Sequence, residues 1–450
     1  MKKLADDVVQ VLGHLTAERG WPEAEVAYKL GRSRSVHYVR GIATTVLRQE
    51  EGWAVRAGDD RRSFYYGASG PPRADAAWPE ADGAGLRLPS AQPVARWQDP
   101  ADLDSALLGE KEAEGLIQGI DRALGDELRG ARLHAAWLDD GSSELHLANS
   151  REVRAVVRQR TAIVHLEAVG PRADGLGDDD DGRPRPPGRV LLRAVAREGR
   201  RLQPLALARR LADRLEVARR GRAPSRDRGD VLLAPQALAP LIGALGPLWI
   251  GPQAENLARR LINRHGRVGT TMFTLIDDGR LPGGLLEAPV DGEGVPCREI
   301  VLVDRGVLVQ PLLAWDEARG AARASGCRLR PGWRDLPRAG PTHLYLAPDA
   351  DVTVAQLLGE VARGYYLIDL EGAPRVDFDA DRFALPVCGF AIDAGRPTGP
   401  VAGAWLTGPI SGLFNGLQRV ARDLTFLPDR LGVVGAPTAL LRGLELRSRP

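Results

Sequence analysis

A chain of 450 residues that is 44% hydrophobic and 27% charged carries enough apolar material for two or three cores of ordinary size. Its 61 basic and 59 acidic residues leave a formal net charge of +2, which excludes a phosphate-tracking surface spread over the whole molecule. Cys297, Cys327 and Cys388 are too few and too scattered for a disulfide framework or a Cys-x-x-Cys metal site, and no stretch approaches the roughly 18 uncharged apolar residues of a membrane span. No membrane or direct nucleic-acid partner is expected, and a cytoplasmic location is.

The opening residues, Met1 to Asp7, lead into Val8, Val9, Val11, Leu12 and Leu15, which mark one face of an amphipathic helix rather than a signal core. Short strands follow at Ala24 to Leu30, Ser35 to Arg40, Thr44 to Gln49, Trp53 to Ala57 and Ser63 to Tyr66. Gly31, Gly41, Gly52, Gly58 and Gly67 read as their boundaries. Residues 1–69 are thus expected to form an N-terminal α/β domain, and the Pro/Ala/Gly-rich stretch 70–100 a linker. A central α/β domain is expected over 101–220. Leu116, Ile117, Ile120, Ala123 and Leu124 recur at helical spacing, and Asp139-Asp140-Gly141 reads as a hairpin turn between two strands. Further strands are expected at Arg154 to Glu167 and Arg189 to Ala196. The acidic run Asp174 to Gly182 lacks the alternating ligands of a calcium loop and reads as a solvated turn. A helix with Leu207, Leu211 and Leu215 on one face then ends at Gly221.

Residues 230–450 have a different texture. Strand pairs meet at short glycine turns: Asp277-Asp278-Gly279, Asp304-Arg305-Gly306 and Asp393-Ala394-Gly395. Thr353 and Gln356 are spaced as a capping box before Leu357, Leu358 and Val361. Leu413, Phe414, Leu417, Val420 and Leu424 suggest one more buried helix. The fold class is therefore α+β, with N-terminal α/β segments and a C-terminal domain dominated by antiparallel sheet with interspersed helices.

Catalytic motifs with local signatures are missing. No Walker A sequence exists, no GxGxxG opens a helix, and Gly408-Pro409-Ile410-Ser411-Gly412 places its serine one position late for a nucleophile elbow. The seven histidines, His14, His37, His134, His146, His165, His265 and His343, are dispersed, so none has a second histidine at zinc-binding spacing. His37, His134, His146 and His165 read as hydrogen-bonded strand residues. His265 reads as a helix-terminal residue favoured by the C-terminal dipole.

The order of segments in the last third carries a resemblance. Asp291-Gly292-Glu293-Gly294-Val295-Pro296 precedes a strand, then Asp304-Arg305-Gly306-Val307-Leu308-Val309, then an expected helix from Trp315 to Ala324. Gly364-Tyr365-Tyr366, Phe390-Ala391-Ile392, Pro400-Val401, Val420-Ala421-Arg422-Asp423-Leu424 and Gly435-Ala436-Pro437-Thr438 follow in order. Ala24 to Val26, Val39-Arg40 and Leu145 to Ser150 extend the likeness into the N-terminal half. Together they resemble the TldD/PmbA family. In that family, TldD-type chains carry HExxxH on a helix and a later cysteine that complete a zinc peptidase site. PmbA (TldE)-type chains lack the motif and pair with them.

At the position matched to that helix, this sequence reads Ala254-Glu255-Asn256-Leu257-Ala258-Arg259, and Phe426 to Val434 contains no cysteine. Neither Ala254 nor Arg259 offers zinc a lone pair, and without a metal-bound water Glu255 has nothing to activate. The resemblance therefore implies no catalytic, metal or cofactor site in this chain. Zinc is expected in a TldD-type partner. The function implied is a non-catalytic subunit of a metallopeptidase complex that processes unfolded peptides, held in a chamber whose inner wall could select the peptide's charge through acidic groups. The alternative is a homodimeric peptide- or protein-binding scaffold without proteolysis. An independent enzyme built on His265 and Cys297 ranks last.

Overall fold

The computed structural model describes residues 2–170, 189–224, 228–318, 323–430 and 432–448; the acidic run 174–182 lies outside them. The first half builds one seven-stranded antiparallel sheet. Its strands are β1 (Glu23–Val39), β2 (Ile42–Gly58), β3 (Arg62–Ser69), β4 (Gly83–Ala84), β5 (Arg132–Asn149), β6 (Arg154–Val169) and β7 (Arg189–Ala196). They pair in the order β4-β3-β2-β1-β5-β6-β7, so β1 joins residues 23–69 to residues 132–196 within a single sheet.

These strands are longer than the glycine punctuation suggests. β1 and β2 each run 17 residues straight through Gly31 and Gly52. β5 likewise passes through Asp139-Asp140-Gly141 without turning. The turn preference there is overridden by distant partners: Asp140, fully buried, accepts from the backbone N–H groups of Leu108 (2.8 Å) and Gly199 (3.1 Å), and Asp139 accepts from the Ser35 hydroxyl.

Alternation along each strand separates two faces. Val26, Tyr28, Val36 and Tyr38 of β1 share one face with Ala136, Leu138, Val164 and Leu192. That face is covered by α1 (Lys2–Gly13), α2 (Glu110–Glu127) and α3 (Pro204–Arg220), whose buried stripes pack on it in two clusters. The Pro-rich stretch 70–100 also packs: Trp78 stands edge-on to Trp53 and Tyr66, and Asn149 donates to the Pro89 carbonyl. The opposite face of the sheet meets the C-terminal half.

That half has two further sheets around one core. The eight-stranded sheet contains β8 (Asp230–Leu233), β15 (Arg363–Leu370), β16 (Arg375–Asp377), β17 (Arg382–Asp393), β18 (Arg396–Pro409), β19 (Leu417–Val420), β22 (Ala439–Leu441) and β23 (Glu445–Arg447), in the order β19-β22-β8-β15-β17-β18-β23 with β16 on β17. The six-stranded sheet, ordered β11-β10-β9-β14-β21-β20, contains β9 (Leu275–Asp278), β10 (Glu299–Asp304), β11 (Val307–Leu308), β14 (His343–Leu346), β20 (Thr425–Pro428) and β21 (Val433–Ala436). The short β12 (Arg328–Leu329) and β13 (Arg338–Ala339) pair with each other. Most pairings are antiparallel; β8–β15 and β14–β21 are parallel. Helix α4 (Pro235–Ala244) lies in the shared core, and Phe273 stacks on Phe414 with centroids 4.3 Å apart.

The buried stripe expected over 413–424 is not one helix. α7 (Ile410–Asn415) stops and β19 begins two residues later, because Gly416 passes the Arg442 carbonyl too closely for a side chain. The described part of the helix expected from Trp315 to Ala324 begins as turns.

Candidate functional site

Three joins hold the open face of the first sheet against the C-terminal half. At one end Glu25 (β1) accepts from Arg56 (β2) at 3.0 and 2.7 Å, and also from Arg330. Arg56 continues to Glu293 at 2.8 Å. Burial alone would raise the Glu25 carboxyl, but Arg56 and Arg330 hold it below the ordinary carboxylate range. Next to this network the Trp333 ring lies on Gly52, and Tyr65 donates to the Trp333 carbonyl at 3.2 Å. At the other end Arg197 donates to both oxygens of Asp102 (2.8 and 2.9 Å) and to the carbonyl of Gly284 (2.6 Å), and pairs with Glu287 (3.1 Å).

Between the joins the two surfaces part and leave two cavities of about 350 and 580 Å³. Both are floored by the same face of the sheet. Lys29, Ser143, Gln159 and Thr161 line the first; His37, Trp137, His165 and Arg193 line the second. Pro428 on β20 lines both, and neighbouring residues of that face (Ile163 and Val195 in one, His165 and Arg193 in the other) pass from one to the next. The pair reads as one long groove, roofed by the C-terminal half.

The first cavity abuts a buried acidic pocket. Asp291 accepts from the backbone N–H groups of Glu293 (2.9 Å), Val295 (3.0 Å) and Arg328 (2.9 Å). Burial and the nearby Glu293 outweigh these donors and push its carboxyl up to about 7. Asp277 is also pushed up to about 7, by burial, against the N–H (2.8 Å) and hydroxyl (2.7 Å) of Thr342. Burial pushes the Cys297 and Cys327 thiols well up, so neither is a ready nucleophile. His343, fully buried, has both ring nitrogens engaged: Nδ1 meets the Asp278 carbonyl at 2.7 Å and Nε2 meets the Leu286 N–H at 3.0 Å. That pattern assigns a neutral ring protonated at Nδ1, and burial lowers its pKa accordingly.

The second cavity has a cross-strand row. His37, Trp137, His165 and Arg193 stand directly opposite one another on β1, β5, β6 and β7. Trp137 stacks against both imidazoles, with centroids 5.8 and 5.6 Å apart, and remains 40% exposed. Arg193 Nε donates to His165 Nδ1 at 3.4 Å. Arg210 and Arg214 of α3, Gln236 and Pro240 of α4, and Asp369 of β15 complete the lining. Asp369 is engaged by Arg214 at 3.0 Å, and Glu167 by Arg189 at 2.6 Å.

Ala254, Glu255 and Arg259 lie elsewhere. They form α5 (Ala254–Arg259), a short helix that lines neither cavity. Glu255 pairs with Arg259 at 2.5 Å on the surface, which lowers its carboxyl. Two helices border the groove: α3 through Arg210 and Arg214, and α4, whose sequence Pro-Gln-Ala-Leu-Ala-Pro-Leu-Ile-Gly-Ala contains no histidine, cysteine or acid. Zinc takes thiolate, imidazole or carboxylate donors. The two carboxylates of the second cavity are committed to arginines, so the residues present do not fit a zinc ion. Among the described residues no group of three or more potential ligands converges. His265 is exposed on a turn and Cys297 is buried beside the first cavity, so no common site emerges from that pair. The groove lining carries both signs: Asp291, Glu167 and Asp369 stand beside Lys29, Arg193, Arg210 and Arg214. The row escapes motif searching because its members lie far apart in sequence; only strand register aligns them.

The family domain described as "PmbA/TldA metallopeptidase C-terminal domain" matches residues 226–448. The chain belongs to the TldD/PmbA family through this half. Curated relatives include an uncharacterised protein of Methanocaldococcus jannaschii, 33% identical over 26% of this chain and 29% of that one. They also include metalloprotease TldD homologues of Buchnera aphidicola and Haemophilus influenzae, 24% and 27% identical, each over 38% of this chain and 35% of the relative. The chain thus matches about a third of the length of these curated relatives. Solved structures extend the likeness of fold to nearly the whole chain. TldE from Thermococcus kodakarensis has a TM-score of 0.79 at 18% identity, covering 98% of this chain and 100% of that one. A Thermotoga maritima protein described as a candidate modulator of a DNA gyrase has a TM-score of 0.79 at 17% identity, covering 98% and 99%. Among the described residues no helix of this TldD/PmbA member is long and apolar enough to cross a membrane.

Proposed function

We propose that this chain is a non-catalytic subunit of a TldD/TldE-type metallopeptidase assembly, which holds an extended peptide while a TldD-type partner supplies the zinc and the hydrolysis. The observation that carries this reading is the make-up of the groove: a long channel between the first sheet and the C-terminal half, bordered by α3, which presents arginines to it, and by α4, which has no zinc-binding side chain. A channel of this shape suits an extended chain, which needs length rather than a deep pocket. The groove residues bind and orient; nothing among them is placed as a nucleophile or as a base near a polarised water.

The test is co-expression with a TldD-type chain, followed by metal analysis and cleavage of an unstructured peptide. The chain alone should hold no stoichiometric zinc and cleave nothing, and the co-purified complex should do both. One zinc per chain with chelator-sensitive cleavage by the isolated protein would overturn the reading. Failure to co-purify with any TldD-type relative, together with a stable dimer, would favour the homodimeric peptide-binding scaffold.

A further inference from the structure

The second cavity has a charge imbalance that its shape alone does not require. Its carboxylates already have partners: Asp369 is paired with Arg214 and Glu167 with Arg189. Arg193 and Arg210 are different. Arg193 is exposed, its one hydrogen bond going to the His165 ring. Arg210 is half-buried, and among the described residues it makes no hydrogen bond or ion pair, although Asp369 and Arg214 lie within electrostatic reach. Burial without a bonded partner disfavours its charge, which identifies a guanidinium lacking its hydrogen-bond complement. Both arginines line the cavity of about 580 Å³, and among the described residues they make one hydrogen bond between them.

The surroundings add direction. Trp137, held between two imidazoles, offers a rigid flat surface beside the guanidinium of Arg193. Because His165 Nδ1 accepts from Arg193, its Nε2 carries the proton and is a further neutral donor. The neighbouring Leu191, 65% exposed, and Pro240 and Leu427 across the cavity supply apolar contact. Guanidinium and imidazole donors converge here, while Asp369 and Glu167 are already in ion pairs with other arginines.

We propose that the His37–Trp137–His165–Arg193 row, together with Arg210, is a subsite for a carboxylate of an extended peptide, supplied by an acidic side chain or by the chain's C-terminus. A planar carboxylate can take two parallel N–H donors from one guanidinium, a match that neither an amide nor an ammonium reproduces. The partly enclosed setting strengthens such a pair over its value on an open surface. This inference rests on the groove being the peptide site.

The experiment is calorimetric titration of the full-length chain with four ten-residue Gly/Ser peptides. One is blocked at both ends with a central Asp-Glu pair, one carries Asn-Gln instead, one carries Lys-Lys, and one is neutral with a free C-terminal carboxylate. The Asp-Glu peptide, the free-carboxylate peptide or both should bind about tenfold more tightly than the Asn-Gln peptide at low salt, and the Lys-Lys peptide more weakly. Which carboxylate peptide gains identifies the source. The gap should narrow as ionic strength rises. Arg193→Gln and Arg210→Gln, at exposed and half-buried positions, should each bring the carboxylate peptide to within about threefold of the neutral one while circular dichroism is unchanged. Equal binding of acidic and neutral peptides, or a preference that survives both substitutions, would overturn the subsite alone. Binding of none of the four would overturn it together with the groove as the peptide site.

Discussion

Asp277 and Asp291 bind their protons more tightly in the folded chain than carboxyls do in water, and this links stability to pH. Their carboxyls lie at about 7 against 3.8 for the ordinary group. A group raised in this way contributes stability fully below its unfolded value and loses it as pH rises through the folded one. Between about pH 4 and 7 each should therefore cost stability with rising pH, at most about 1.4 kcal/mol per pH unit. Asn is a close replacement for Asp277, since the Thr342 hydroxyl can turn from donor to acceptor. Urea denaturation of Asp277→Asn should show a flatter dependence between pH 4.5 and 7.5 than the parent; parallel curves would mean that Asp277 stays ionised. Glu255 is the contrasting residue, a surface carboxylate paired with Arg259. Glu255→Ala should leave the peptidase activity of a reconstituted complex within about twofold and cost only tenths of a kcal/mol. A drop of two orders of magnitude with folding intact would place Glu255 in the chemistry. The Glu255–Arg259 pair is readable in sequence, because i,i+4 spacing alone brings the two side chains together; the buried aspartates are not, since Asp277 sits in an apparent turn signal and only the fold removes it from water.

At the level of elements, turns were legible wherever the chain itself dictates the geometry. Arg40-Gly41, Arg305-Gly306 and Ala394-Gly395 are all two-residue connections with positive φ at both positions, and each carries glycine where the strain would be greatest. The Thr353 capping box is also present as read, with Thr353 accepting from the Gln356 N–H at 3.2 Å and donating its own N–H back at 2.7 Å. Glycines inside strands misled because their reason lies elsewhere in the fold. Gly52 does not end a strand; it leaves room for Trp333, and an added Cβ would overlap that ring. Gly52→Ala should therefore push Trp333 outward and destabilise the chain by about 1–3 kcal/mol, as overpacking does. Thermal melts of Gly52→Ala and of the double variant with Trp333→Ala would check this: the glycine substitution should cost far less once the ring is gone.

For the whole molecule, the joins decide whether the two halves behave as one. Glu25, Arg56, Glu293 and Arg330 form a buried network drawn from β1, β2 and two C-terminal loops. Removing one charge from a buried network typically costs about 3–5 kcal/mol, because its partners remain desolvated. Glu25→Gln should lower the melting temperature and make the 330–337 loop cleavable in limited proteolysis, with the strands of the first sheet still protected. An unchanged cleavage pattern would show that Trp333 and Arg197 suffice to hold the halves together. Sequence periodicity could identify which strand positions face a core, but this network joins residues about 300 positions apart. Neither composition nor spacing reports that pairing.

The strand order also sets a timetable for synthesis. The first sheet has all its strands once β7 has been made, at Ala196. β8 lies between β15 and β22, so a strand made at residue 230 waits for one neighbour until residues 439–441 have left the ribosome. At about 5–20 residues per second that delay lasts on the order of ten seconds or more. During it the face bearing Trp137 and Leu191 has no C-terminal half above it. The nascent chain passes through a stage in which its future groove is an open apolar surface, available to chaperones before any peptide can be enclosed. A ribosome-stalled chain of residues 1–224 should accordingly carry a protease-resistant sheet that binds a hydrophobic dye, and release of the complete chain should abolish the dye signal.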